Sequence, residues 1–115
     1  MNDKPVIWIG SSKVDVSSLP PPVKASFGHR LRLVQKGEPV ADMKALSQFG
    51  AGVFELRESY ERNAYRLMYV VNLKHAIYVL HAFMKKSKSG IGLPKPDEQL
   101  IRIRLKRAQT LDSET

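Results

Sequence analysis

Residues 53–84 read VFELRESYERNAYRLMYVVNLKHAIYVLHAFM, and the period of this stretch decides the fold. β-Branched and aromatic residues dominate it, and from Val53 the pattern switches to a period of two. The spacing predicts strands over 53–58, 64–71 and 75–84. Their connections, residues 59–63 and 72–74, are short and polar, which favours antiparallel hairpins and a β-meander.

Working outward, residues 5–9 (PVIWI) read as a fourth short strand closed by Gly10, and the polar run 11–18 as a loop. Leu19 and the three prolines after it supply a stiff entry to a helix, because proline is tolerated only in a helix's first turn. In that helix Val23, Phe27, Leu31 and Val34 form one apolar stripe, and Gly37 and Pro39 end it. Residues 41–52 are less regular and suggest a helical turn carrying Met43, Leu46 and Phe49. Residues 85–96, rich in Lys, Ser, Gly and Pro, read as an exposed loop. Asp97 then caps a final helix to about Gln109, with Leu100, Ile101, Leu105 and Ala108 inward. The expected fold is α+β: an antiparallel sheet of about four strands, amino-terminal helices packed on it, and a basic carboxy-terminal helix.

At 115 residues the chain fits one domain, read as 1–115, and its 43% apolar content suffices for a small core. There is no cysteine, so disulfides and thiolate metal sites are excluded. Neither a signal-peptide pattern nor an apolar run approaching the ~20 residues of a membrane span is present, so the expectation is a cytoplasmic protein without a membrane partner. The 19 Lys and Arg outnumber the 11 Asp and Glu, a formal charge of +8 that points to a polyanion. The excess is concentrated: residues 85–107 hold eight basic residues against Asp97 and Glu98.

No His-Glu-x-x-His, phosphate-loop, dinucleotide or nucleophile-elbow pattern accompanies this charge, and no metal or cofactor is expected. Two constellations stand out instead. Arg57 near the end of one strand faces Tyr65 or Arg66 on the next, depending on register. Two guanidinium forks there match phosphate oxygens. The alternative is a solvated face with Arg57 paired to Glu55 or Glu58. The second constellation is His81-Ala82-Phe83-Met84-Lys85-Lys86-Ser87-Lys88, an apolar strand running into three lysines. A solubilising gatekeeper run would look the same. Simple alternation puts His81 on the face shared by Ile77, Val79 and Phe83, as a core histidine. Phe83 is either core or a platform on which a base stacks.

Val53-Phe54-Glu55-Leu56-Arg57, Tyr65-Arg66-Leu67-Met68-Tyr69 and Leu80-His81-Ala82-Phe83-Met84-Lys85-Lys86, in this order and spacing, resemble the phage-derived HigB-like branch of the RelE/ParE toxin superfamily. The resemblance is strongest over 53–88 and looser in the final helix. It implies the toxin of a type II toxin–antitoxin pair, a small RelE-like α+β protein held inactive by a helix-turn-helix antitoxin encoded nearby. RelE-like and HigB-like toxins cleave messenger RNA, usually on the ribosome, whereas the ParE branch poisons DNA gyrase. Fold alone does not choose between these targets.

Metal-independent RNA cleavage requires deprotonation of a ribose 2′-hydroxyl, stabilisation of the crowded phosphate and protonation of the 5′-oxygen. Arg57 and Arg66 are the candidates for the phosphate. Lys85 and Lys86 are candidates for acid–base work, since a lysine crowded by other cations gives up its proton more readily. Tyr65 and His81 are secondary acid–base candidates. Phe83, Lys88, Arg102, Lys106 and Arg107 are expected to contact RNA. RelE-like enzymes often carry a Tyr or His near the carboxyl end, and the tail 110–115 has neither, so the general base is left open. The alternatives are a non-catalytic ParE-like gyrase inhibitor and a phage-derived nucleic-acid-binding accessory protein.

Overall fold

The computed structural model describes residues 3–85 and 92–115. Its elements are β1 (Val6–Trp8), α1 (Ser12–Ser17), α2 (Pro21–Lys36), β2 (Met43–Ala45), a 3-10 turn (Ser47–Phe49), β3 (Val53–Tyr60), β4 (Asn63–Val70), β5 (Ile77–Lys85) and α3 (Lys95–Ser113). One five-stranded sheet has the order β1-β5-β4-β3-β2. The meander pairs antiparallel, but β1 runs parallel to β5, so the sheet is mixed. Two helices intervene between β1 and the meander, and a crossover of that length permits a parallel return.

The central strands β4 and β5 are buried on both faces of the sheet. α1 and α2 cover one, where Val16, Val23, Phe27 and Leu31 pack on Leu56, Leu67, Tyr69 and Val79. α3 covers part of the other, setting Ile101, Leu105 and Ala108 on Met68, Val70, Tyr78 and Leu80. Double-sided burial explains why β4 and β5 read as nearly continuous apolar runs. No helix is long and apolar enough to cross a membrane, among the described residues.

α2 begins with its prolines at the first positions and stops at Gly37 (φ 73°). There the Gly37 and Glu38 amides donate to the Val34 and Leu33 carbonyls, a Schellman ending. The β3–β4 hairpin closes more tightly than expected. Tyr60 pairs with Asn63, and Glu61 and Arg62 form a two-residue turn with φ of 48° and 67°.

Four expectations need correction. The run 11–18 is not a loop: Ser12–Ser17 is helical, because the Ser12 hydroxyl donates to the Val79 carbonyl and Val16 enters the core. Residues 43–45 are a strand rather than a helical turn, paired antiparallel to β3. All three are exposed, so no apolar alternation marks them. α3 starts two residues before Asp97, with Pro94 rather than Asp97 at its cap position. Finally, β5 carries a bulge: Met68 pairs with His81 but Tyr69 with Val79, leaving Leu80 as the extra residue. The phase of β5 therefore inverts, and His81 lies on the α3 face with Leu80 and Phe83, not with Ile77 and Val79.

Two polar clamps hold α3. Arg104 donates from Nη1 to the carbonyl of the bulged Leu80 at 2.9 Å and from Nη2 to the Ser11 hydroxyl at 2.8 Å. At the far end the Asp112 carboxylate accepts from the Lys74 and His75 amides and from the Tyr78 hydroxyl, at 2.8 to 2.9 Å. Burial alone would raise the Asp112 pKa, but these donors outweigh it and hold the carboxyl below its ordinary value. Burial, then the bond to Asp112, pushes the Tyr78 hydroxyl up to about 12.

Candidate functional site

Strand alternation sends Glu55 and Arg57 of β3 and Arg66 of β4 to the α3 face. The bulge brings Phe83 of β5 to the same face. Among the described residues, α3 covers the half of this face nearest Met68 and Val70. The other half is bordered by the edge strand β2 and the start of the 3-10 turn. Between them is a cleft of about 420 Å³ lined by Lys44, Glu55, Arg57, Arg66, Lys85 and Gly92, with residues 45–48 completing the wall.

The register resolves the hairpin: Arg57 stands directly opposite Arg66. Like charges in that position repel. Glu55 offsets the repulsion from below. Its side chain is fully buried, and one carboxylate oxygen, Oε1, accepts from Arg66 Nε and contacts Nη2, both at 2.5 Å. The second oxygen, Oε2, lies 3.6 Å from Arg57 Nε and has no hydrogen-bond partner. Arg66 is thus locked, its Nη1 reaching the Gly92 carbonyl at 3.5 Å. Arg57, with 44% of its side chain exposed, is the half-free member of the pair.

Lys44 lies directly opposite Glu55 across the β2–β3 ladder and is the fourth cation of the cleft. Nothing in the local sequence marks it. Its membership depends on an exposed three-residue strand whose register exists only in the folded sheet. Glu55 was legible as an alternative partner for Arg57, which it meets at 3.6 Å, but not as the buried partner of Arg66.

The other sequence candidates divide. Lys85, the last residue of β5, lines the cleft. Lys86 and Lys88 lie outside the described residues. Tyr65 is not in the cleft: alternation turns it to the α2 face, where it is 6% exposed in the core. His81 is buried beside the site, with Nε2 2.7 Å from Asp97 Oδ1 and its ring stacked on Phe83 at 4.9 Å. Phe83 is engaged on its other neighbour too, the Arg66 guanidinium being 5.8 Å from its ring centre. Partly buried, it packs against both His81 and the Arg66 guanidinium.

Arg102 stands over the Phe49 ring at 4.9 Å, donates to the Gln48 carbonyl at 3.3 Å and pairs with Glu98. It braces the 3-10 turn behind the cleft wall. Lys106 and Arg107 are exposed on α3 and do not line the cleft. Among the described residues, no group of three or more His, Cys, Asp or Glu is placed to hold a metal ion.

A model of the family described as "Phage derived protein Gp49-like" matches residues 14–106. The chain belongs to the Gp49-like family. The match spans both layers of helices and every strand of the cleft. No curated protein sequence matches this Gp49-like chain. Its fold is similar to a chain in the crystal structure of the toxin–antitoxin complex RelBE2 from Mycobacterium tuberculosis, at 24% identity and a TM-score of 0.52. The alignment covers 76% of this chain and 97% of that one. The likeness establishes a RelE-like α+β fold.

Proposed function

We propose that this Gp49-like protein is the toxin of a type II toxin–antitoxin pair, on the HigB-like branch, and that it cleaves messenger RNA in the ribosome. The observation that carries the reading is the convergence of Lys44, Arg57, Arg66 and Lys85 on one cleft above a buried carboxylate. Four cations against one acid make a site for a polyanion, and the guanidinium fork suits a phosphodiester.

The residues divide the work. Arg57, exposed and only loosely held by Glu55, binds the scissile phosphate and the charge that builds on it. Arg66, fixed by Glu55, contributes a preorganised positive field. Lys44 binds the phosphodiester backbone beside it. Lys85 at the end of β5 serves in proton transfer to or from the ribose and leaving oxygens. The fold shared with a member of a toxin–antitoxin complex supports an antitoxin partner, whose inhibitory segment is acidic or covers the cleft.

Inducible expression with mapping of RNA 5′ ends tests the reading. It predicts growth arrest and new 5′ ends within translated messages, both lost in the Arg57→Gln variant. Growth arrest with intact RNA and early DNA damage would replace it with a gyrase-type target. Absence of toxicity together with salt-dependent RNA binding would replace it with an accessory nucleic-acid-binding role.

A further inference from the structure

Arg30 lies on α2, on the side of the sheet away from the cleft. It is a cation on a helix face otherwise built from Val23, Phe27 and Leu31, and it is only 7% exposed. Its Nη2 donates to the Arg57 carbonyl at 2.8 Å, to Glu58 Oε1 at 2.9 Å and to the Ser26 hydroxyl at 3.1 Å. Its Nη1 donates to the Ala41 carbonyl at 3.3 Å. An apolar side chain would fill this position without desolvating a charge. The bonds themselves therefore need an explanation.

The sheet supplies one. β2 begins only at Met43, opposite Leu56, while β3 runs on to Tyr60. Beyond Leu56, the edge of β3 that receives the Leu46 amide at Val53 has no strand beside it among the described residues. Arg30 stands in for the missing rung. A single guanidinium grips the Arg57 carbonyl on β3 and the Ala41 carbonyl of the chain entering β2, as the planar fork allows and an ammonium does not.

Arg57, itself gripped, and Lys44, three residues on from the gripped Ala41, are shared between the cleft and a second cavity of about 650 Å³. That cavity continues along the edge past Asp42, Glu58 and Ser59. The two cations therefore flank a continuous groove, and the spacing of β2 from β3 sets its width. The geometry points to Arg30 as a positioning residue: acting through backbone from behind the sheet, it sets the separation of Lys44 and Arg57. This rests on the phosphodiester-cleaving reading of the cleft.

The test combines Arg30→Lys, which keeps the charge but not the fork, with Arg57→Gln in a double-mutant cycle. Each variant is assayed for cleavage of a defined ribosome-bound message and for affinity towards an RNA with a 2′-deoxy nucleotide at the cleaved position. Arg30→Lys is expected to lower kcat about tenfold, with KM within about threefold, because misplaced cations weaken transition-state contacts most. In the Arg57→Gln background the same change should cost less than about threefold. Val23→Ala, an apolar deletion in the same helix, lowers Tm without reaching β2 or β3 cations and should leave kcat unchanged.

A full tenfold loss persisting in the Arg57→Gln background would overturn the inference, as would an equal loss of kcat in Val23→Ala. Wild-type protein that binds the 2′-deoxy RNA but cleaves nothing would remove the nuclease reading alone. Coupling of Arg30 and Arg57 in affinity would then support the positioning role, and additivity would overturn it.

Discussion

Arg66 and Glu55 meet inside the sheet rather than at its surface: Arg66 Nε and Nη2 lie 2.5 Å from the same carboxylate oxygen, and the two side chains are 5% and 0% exposed. The pair occupies neighbouring strands, two positions out of register, and its Arg66 stands directly opposite Arg57. It makes one arginine a fixed part of the cleft and leaves the other to respond to a ligand.

Breaking that pair from one side strands a buried charge. Glu55→Leu should cost about 3–5 kcal/mol of stability, whereas Glu55→Leu with Arg66→Leu should cost much less, since no unpaired ion is left. Urea unfolding of both variants measures this. A double variant no more stable than the single one would show that the pair is not the origin of the loss.

On the proposed phosphodiester-cleaving reading, Arg57 and Lys44 carry the electrostatic contact with substrate. Arg57→Gln should lower RNA cleavage about 100-fold, the scale of removing one preorganised transition-state donor. It should also reduce the salt dependence of single-stranded RNA binding by about 0.7 in the log–log slope, one phosphate contact. Lys44→Gln should show the same change in slope with a smaller loss of rate. An unchanged slope in both would place the RNA elsewhere on the protein.

The hairpin turn at Glu61 and Arg62 holds two non-glycine residues at left-handed φ, each at a steric cost of roughly 1 kcal/mol. Replacing them with Asn-Gly, the pair this turn geometry favours, should stabilise the protein by about 1–2 kcal/mol. Toxicity should be unaffected. A fall in the urea midpoint would mean that these side chains make compensating contacts.

Asp112 and Tyr78 predict the two ends of the stability profile. The carboxyl titrates lower when folded, so its contribution is present above its ordinary value of 3.8 and is lost as pH falls through the folded value. The hydroxyl moves the other way, from 10.0 to about 12, so its contribution is present below pH 10.0 and is lost as pH rises towards 12. Asp112→Asn should flatten the acid limb and Tyr78→Phe the alkaline limb of a Tm-against-pH curve. Unaltered limbs would separate the clamp from both transitions.

The legible parts of this molecule were those with a strong local signal. The stripe Val23-Phe27-Leu31, the opening prolines and Gly37 define α2 by themselves, and the meander announces itself through β-branched and aromatic residues. Arg57, Arg66 and Lys85 were visible as charges where a strand pattern predicts none. The rest was hidden for identifiable reasons. β2 is three exposed residues with no periodicity, so Lys44 could not be placed. Leu80 is an apolar residue among apolar residues, so nothing betrays the bulge that moves His81 and Phe83 across the sheet. Nothing in the local pattern marks Arg30, a charged residue beside the Val23-Phe27-Leu31 stripe, yet it is buried, with the Arg57 carbonyl at the β3 edge within its reach.

Local pattern thus determined the class of fold, the meander and the end of the chain where positive charge gathers, because hydrophobic period and turn chemistry act over a few residues. The tertiary structure decided which charges meet. Register set Arg57 against Arg66 and Lys44 against Glu55, and the bulge inverted β5. Both depend on pairing between segments far apart in the chain, and a one-residue shift in either sends every later side chain to the opposite face.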